Sequence, residues 1–308
     1  MEYKDVVKEA IYVTKHGSHA YGLNVETSDL DIKGVFIAPR EYYFSYFKHV
    51  EQVEDPKNDG VIYELRKFFK LAADCNPNII EVLFTDEEDI LNLHHYGKVL
   101  RANRNLFLSQ KAKFTFSGYA VAQLKRINTR YKWLSKPPVE EPKRENYGLP
   151  KEQILAKSQI ELLENNNTGY SSEVTELIKK EYAFIQKYKE WQNYNEWRKN
   201  RNEKRAELEA KASYDTKHGM HLVRLMRMGE EILKEGKVIV KRPDREELLA
   251  IRGGAWKYDD LVKWAEEKDQ ELTELYDSKK SPLPHHPDTK ALDSLCIEMA
   301  EGYHEYGY

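Results

Sequence analysis

The stretch Lys15-His-Gly-Ser-His-Ala-Tyr-Gly-Leu-Asn-Val-Glu-Thr-Ser-Asp-Leu-Asp-Ile32 decides how this chain is read. It sets a Gly-Ser pair twelve residues ahead of an Asp-x-Asp. On a strand, residues i and i+2 share a face, so Asp29 and Asp31 project together with their Cα atoms about 7 Å apart. Leu30 and Ile32 are then expected to face the core. Two carboxylates that close repel each other and raise one another's pKa. A divalent cation removes that cost, and Mg²⁺ favours a few carboxylates combined with phosphate oxygens and water. The Gly17-Ser18 turn, if it opens a helix, offers backbone N–H groups and a hydroxyl to a phosphate. Residues 10–14 and 32–38, on either side, read as strands. A phosphate cradle beside a metal-binding strand predicts transfer of a nucleotidyl group. The plain alternatives are a helix N-cap for Ser18 and an ordinary strand end for the Asp pair.

Gly-Ser, a spacer of about a dozen residues and a hydrophobic Asp-x-Asp strand resemble the DNA polymerase beta nucleotidyltransferase superfamily. The wording Gly17-Ser-His-Ala-Tyr-Gly22 with Ser28-Asp-Leu-Asp-Ile-Lys-Gly34 is similar to its RNA-ligase-associated, or RNA-repair, branch. The resemblance continues in Tyr63-Glu-Leu-Arg-Lys-Phe68, Asn76-Pro-Asn-Ile-Ile-Glu-Val-Leu83, Phe116-Ser-Gly-Tyr-Ala120, His221-Leu-Val-Arg-Leu-Met-Arg227 and residues 242–252. Only residues 132–212 stand apart from it. It implies an α+β fold, with a polymerase beta-type catalytic domain (a mixed sheet with helices) followed by a mostly helical C-terminal region. It also implies an RNA end as acceptor, with tRNA among the candidates, and an RNA ligase or other repair enzyme as partner. Many superfamily members carry Arg soon after Gly-Ser. Here His19 and Tyr21 occupy that stretch, so phosphate charge has to be met from elsewhere.

The composition sets bounds. The chain has 308 residues, 40% hydrophobic and 33% charged, enough for a core under a well-solvated surface. A net charge of −3 argues against a wholesale basic coat for nucleic acid, while local patches can still bind phosphate. Two distant cysteines, Cys75 and Cys296, give neither a metal spacing nor a disulfide framework and suit a reducing cytoplasm, the expected compartment. The first residues lack the apolar core of a signal peptide, and no apolar run reaches membrane-spanning length, so no membrane association is expected.

Strand and helix signals alternate through residues 1–92, the expected nucleotidyltransferase domain. Residues 39–45 start like a short helix with Pro39 at its first turn. Residues 50–53 and 61–65 read as a hairpin about the Asp59-Gly60 turn. Residues 65–73 read as a helix, and Asn76-Pro77 as an N-cap followed by Pro at the first helical position. Residues 93–308 are expected to be mostly helical, with helices over 93–107, 116–133, 153–163, 172–212 (interrupted near 193–195), 214–234, 245–251 and 258–275. A break is expected at 165–169 and a short strand over 237–240, and 132–212 reads as a charged insertion.

In-line transfer at an α-phosphate uses metal to activate the attacking hydroxyl and to steady the leaving pyrophosphate, commonly with two ions about 3.5–4 Å apart. Two Mg²⁺ are therefore expected, with Mn²⁺ as a substitute. A third carboxylate is wanted beside Asp29 and Asp31, and Glu64 is the choice, just past the hairpin turn on a strand that can lie beside theirs. Asp59 is the substitute, since Asp before Gly is commonly turn chemistry, and Glu81 reads as a polar partner to the backbone or an Arg. Gly17, Ser18, His19 and Tyr21 are expected at the nucleotide, ATP being the leading NTP. A second group, Lys217, His221 and Arg224, shares a helix face with Arg227 one turn further round; with no acidic partner at i±4 within the cluster, it is expected to grip triphosphate, pyrophosphate or an RNA end, the triphosphate foremost. Its plain alternative is a solvated face. A third group, the basic residues 198–205 with Trp191, Tyr194 and Trp197, could track a nucleic-acid backbone. Lys111, Lys113, Gln123, Lys125 and Arg126 form a smaller basic group. The expected activity is NMP transfer from an NTP to an acceptor hydroxyl. Protein or small-molecule acceptors, and an inactive nucleotide- or RNA-binding module, are the competing readings.

Overall fold

The computed structural model describes residues 1–152, 158, 160–161, 171–201 and 203–307. It is α+β, a mixed sheet with helices followed by a mostly helical region. Helix α1 (Tyr3–Glu9) precedes β1 (Tyr12–His16), the short α2 (Gly17–Ala20), β2 (Asp31–Phe36), α3 (Glu41–Phe44), β3 (Gln52–Glu54) and β4 (Val61–Glu64). Helices α4 (Leu65–Ala73) and α5 (Pro77–Phe84), strand β5 (Ile90–Leu93) and α6 (His95–Ala102) complete the N-terminal part. The strands form one sheet in the order β3-β4-β2-β1-β5. All neighbours are antiparallel except β2 and β4, which run parallel with Lys33 opposite Val61 and Phe36 opposite Glu64.

Alternation along the strands sorts the two faces. Val13, Phe36 and Ile62 join Val6 and Ala10 in a cluster that also covers Ile32, so α1 lies on that face. On the other face the Tyr12 hydroxyl donates to the Val82 carbonyl at 2.6 Å, anchoring α5. Helix α4 buries Leu65, Phe68, Phe69 and Ala72, a stripe at i, i+3, i+4 and i+7 that fixes which side meets the sheet. Asn76 caps α5 with its side chain.

The described chain divides into two compact units, residues 1–127 with 216–308, and residues 128–215. Instead of a boundary at 92, the C-terminal helices return to the sheet-bearing unit. These are α10 (Thr216–Glu235), α11 (Arg245–Arg252), α12 (Tyr258–Asp277) and α13 (Thr289–Tyr306). The Arg242 N–H donates to the Tyr21 carbonyl at 3.1 Å, and the Gln110 N–H to the Pro284 carbonyl at 2.9 Å. Helix α7 (Ala112–Ser135) begins in the first unit and ends in the second.

The second unit holds α8 (Ser172–Lys199) and α9 (Glu203–Ala212). Its aromatic residues pack on one another: Trp133 meets Tyr194 and Trp197 with ring centroids 5.8 and 5.5 Å apart. The rings expected to form a nucleic-acid surface thus largely serve as packing, and Arg201 stacks on Trp197 at 4.7 Å.

Several local expectations are corrected. Helix α8 runs unbroken through 193–195. Residues 237–240 form no strand, whereas Ile90–Leu93 does, at the sheet edge. Leu30 is exposed, because the strand begins only at Asp31. Apart from 158, 160 and 161, the helix expected over 153–163 and the break at 165–169 lie outside the described residues. No helix among the described residues is long and apolar enough to cross a membrane.

Candidate active site

The end of β1 delivers the chain directly into α2. Gly17 turns that corner with φ of +63°, a conformation glycine adopts without strain. A Cβ placed on Gly17 would lie 2.2 Å from Asp31 Oδ2. The turn and the first carboxylate of β2 are therefore in direct contact, helped by the antiparallel register that sets His16 opposite Asp31. First-turn N–H groups of a helix lack intrahelical partners, so Gly17 and Ser18 present donors beside that carboxylate. His19 Nε2 lies 3.4 Å from the Ser28 carbonyl, closing the loop that leads back to Asp29.

Asp29 precedes β2 and is exposed, whereas Asp31 opens the strand and is half-buried. Burial pushes the Asp31 carboxyl above its usual range, and the charges of Asp59 and Asp29 push it further. Lys33 and Lys217 pull it back. Asp59 thus belongs to the carboxylate cluster. The parallel register explains this: with Lys33 opposite Val61, position 59 is level with position 31.

Glu64, expected as the third carboxylate, is placed elsewhere. It pairs with Phe36, five residues beyond Asp31 and about 17 Å further along the strands. There it is buried and caps α4, accepting the Arg66 N–H at 3.0 Å and the Tyr43 hydroxyl at 2.8 Å. Among the described residues no three His, Cys, Asp or Glu side chains are gathered tightly enough to cage a metal. The donor set suits an ion that arrives with its nucleotide, since Mg²⁺ is commonly held by one or two carboxylates plus substrate phosphates and water.

Lys33 is a site residue that sequence reading missed. It sits two positions after Asp31 on the same strand face, mostly buried, within the fields of Asp31, Asp59 and Glu81. Burial lowers its pKa, and those three carboxylates oppose the shift. The i+2 spacing from Asp31 was the available signal.

Beneath the turn lies a buried polar cluster. The Tyr21 hydroxyl donates to Glu81 Oε2 at 2.5 Å, and Arg224 pairs with Glu81 Oε1. The Arg224 guanidinium lies 3.8 Å from the Tyr21 ring centroid. His16 Nε2 is 3.8 Å from Glu81 Oε2. The expected triphosphate role of Arg224 and Arg227 does not match this placement, because both are engaged by acids remote in sequence. Arg224 is buried against Glu81. Arg227 bonds Asp244 at 2.6 Å and Glu247 at 2.8 and 2.9 Å. Tyr21 likewise lies under the turn rather than open to a ligand.

Lys217 is exposed and close enough to Asp31 to lower its pKa. His221 is held neutral by burial and by the nearby charges of Arg224, Lys217 and Arg252. Further cations brace the loop after α2: Arg245 Nε donates to the Gly22 carbonyl at 2.5 Å and Arg252 Nη1 to the Leu23 carbonyl at 3.1 Å. In the smaller basic group, Lys111 pairs with Asp74 at 2.9 Å and Lys113 with Asp269 at 3.9 Å.

Two curated proteins align with part of the chain. One is an uncharacterized 38.9 kDa protein from the nrdC-mobD intergenic region of Enterobacteria phage T4, 29% identical over 126 residues that cover 37% of each chain. The other is the uncharacterized protein YcgL of Bacillus subtilis (strain 168), 32% identical over 79 residues, 25% of this chain and 30% of that protein. The chain thus spans about a third of the length of these curated relatives. No solved structure matches it. Residues 2–144 match the RlaP family, the RNA repair pathway DNA polymerase beta family, and the Gly17-Ser18 turn, the carboxylate cluster and all five strands fall within that match.

Proposed function

We propose that this chain is a metal-dependent nucleotidyltransferase that moves NMP from an NTP, ATP foremost, to a hydroxyl at an RNA end. The family description implies a polymerase beta-type nucleotidyltransferase in RNA repair. The observation that carries the reading is the contact between the Gly17 turn and the Asp31 carboxylate, with Asp29 and Asp59 in the same electrostatic cluster. A binding-only site gains nothing from clustered carboxylates, which repel one another without a cation.

Asp31, with Asp29 or Asp59 as a second carboxylate and the nucleotide's phosphates completing the shell, would hold Mg²⁺, or Mn²⁺ in its place, which when bound activates the acceptor hydroxyl and stabilises the charge of the leaving pyrophosphate. Gly17 and Ser18 bind phosphate oxygens through backbone N–H groups and the Ser18 hydroxyl. Lys217 and Lys33 both add positive charge near Asp31. Tyr21 and Arg224 act beneath the turn, holding it through Glu81. An RNA ligase or another repair enzyme is the expected consumer of the modified end.

Incubation with NTP labelled at the α-phosphate, Mg²⁺, and either RNA or whole-cell lysate tests the reading. Label in RNA supports it. Label in protein moves the acceptor to a polypeptide hydroxyl, and label in neither removes the transferase assignment.

A further inference from the structure

The cations around the Gly17 turn divide into those already engaged by acids and those still open. Lys15 pairs with Asp89, and Lys241 with Glu88 and Asp89. Arg224 pairs with Glu81, Arg227 with Asp244 and Glu247, and Arg242 with Glu231 and Asp244. Arg252, the last residue of α11, differs from all of these. Among the described residues it makes no ion pair, and its guanidinium makes one hydrogen bond, from Nη1 to the Leu23 carbonyl at 3.1 Å. A guanidinium carries five N–H donors, so most of this one is left for a ligand. Arg252 is half-buried, and burial pushes its pKa down with no acid opposing the shift. At Arg224, Arg227 and Arg242 burial acts the same way, but acids outweigh it. Lys33 is open in the same sense: its ammonium makes no hydrogen bond or ion pair among the described residues.

Two hydrogen bonds tie Arg252 to the turn. The Leu23 carbonyl accepts from Arg252, and the Leu23 N–H donates to the Ser18 carbonyl at 2.8 Å. The surroundings are electropositive. After burial, the influences that act most on His221 are the positive charges of Arg224, Lys217, His218 and Arg252. The His221 ring lies 6.5 Å from the Tyr21 ring, beneath the same turn. Lys217 also acts on Asp31. The turn thus has carboxylates on its β2 side and positive charge on its α10 and α11 side. That division complements a nucleotide carrying Mg²⁺, whose metal seeks carboxylates while its phosphate oxygens seek cations.

We propose that Arg252 is a nucleotide-binding residue whose guanidinium takes the terminal phosphates of the NTP. The α-phosphate has to lie at the carboxylates, where the acceptor attacks, so the rest of the phosphate tail runs past Ser18 towards α11. Arginine suits this place because its planar fork bonds two phosphate oxygens at once. Arg252 then favours a triphosphate over a monophosphate, and its bond to Leu23 couples the loop after α2 to the occupied site. The proposal rests on the nucleotide site of the preceding section.

Titration calorimetry of the full chain with a non-hydrolysable NTP and with the matching NMP, both in Mg²⁺, tests it. Arg252→Gln should weaken NTP binding about tenfold or more, the scale of losing a charge-assisted hydrogen bond, and leave NMP binding within about twofold. Arg252→Lys keeps the charge without the fork and should fall between wild type and Arg252→Gln. The ratio of the two affinities does not depend on the fraction folded, so a variant with a loosened loop still gives an answer. Equal loss for both nucleotides overturns the proposal and leaves Arg252 as a brace for the loop. NTP affinity kept, with affinity for a dye-labelled single-stranded RNA lost, overturns it too and assigns the residue to the acceptor. The two readings fail separately. A ratio that collapses in Arg252→Gln, with no label moved by wild type, upholds this contact and removes the transferase assignment. Label moved by wild type, with an unchanged ratio in the variant, does the reverse.

Discussion

Replacing Glu81 by Gln keeps the side chain's shape and removes its charge. In the native fold Glu81 is 1% exposed and accepts from Tyr21 while pairing with Arg224, which is 4% exposed. Among the described residues Arg224 Nε has no hydrogen-bond partner, so Glu81 supplies the carboxylate charge that offsets this buried guanidinium. Removing one partner of such a pair leaves an uncompensated buried charge, at a cost of about 3–5 kcal/mol. The Gln side chain can still accept from Tyr21, so the lower part of that range is expected. The loss should be local to α5, α10 and the Gly17-Ser18 turn. Hydrogen exchange read by mass spectrometry on peptides covering residues 12–23, 77–84 and 216–235 measures it. Glu81→Gln combined with Arg224→Met removes both charges and should recover most of the loss, because a buried pair replaced by apolar groups is often neutral. A Glu81→Gln loss below about 1 kcal/mol, or no recovery in the double variant, would refute the assignment of this pair as the support of the turn.

Asp31→Asn should raise the melting temperature of the metal-free protein and abolish transfer. Burial, Asp59 and Asp29 raise this carboxyl's pKa, so its ionisation costs the folded state stability that the variant no longer loses. Calorimetry with and without Mg²⁺ checks the sign. Gly17→Ala should weaken NTP binding and lower stability, since its φ is +63° and its Cβ would collide with Asp31. The left-handed backbone alone costs about 1–2 kcal/mol, and titration calorimetry with thermal unfolding measures both effects. Burial holds His16 and His221 well below the ordinary histidine pKa. The unfolded chain therefore takes up protons first, and the stability these residues carry is complete above about pH 6.5 and declines as pH falls below it. Urea midpoints between about pH 7.5 and 5 should show that decline, and His16→Asn should make it shallower.

Much of the site could be read locally. The Gly-Ser turn, the Asp pair, the hairpin after residue 50 and the α4 stripe are set by neighbours within a few residues. What could not be read depends on pairing across the chain. Choosing between Asp59 and Glu64 requires the β2–β4 register, and nothing in the hairpin's own sequence says that β4 lies parallel to β2. The apparent freedom of Arg224 and Arg227 had the same origin. The i±4 neighbours of Arg224 are Met220 and Met228, and Glu231, at i+4 from Arg227, pairs with Arg242 instead; the acids that engage the two arginines are Glu81, 143 positions away, and Asp244 and Glu247, 17 and 20 positions away. Leu30 misled because strand alternation was extended one residue before the strand begins.

On the proposed function, the carboxylates at the Gly17 end of the sheet carry nucleotidyl transfer. The most direct test is the rate of α-phosphate label transfer to RNA by wild type, Asp59→Asn and Glu64→Gln, each checked for folding. Transfer should fall by about a hundredfold or more in Asp59→Asn, the scale of removing a group that acts in the transition state. Glu64→Gln should retain transfer within about tenfold, since Glu64 caps α4 and holds Tyr43 and Arg66. A dead Glu64→Gln beside an active Asp59→Asn would contradict this assignment.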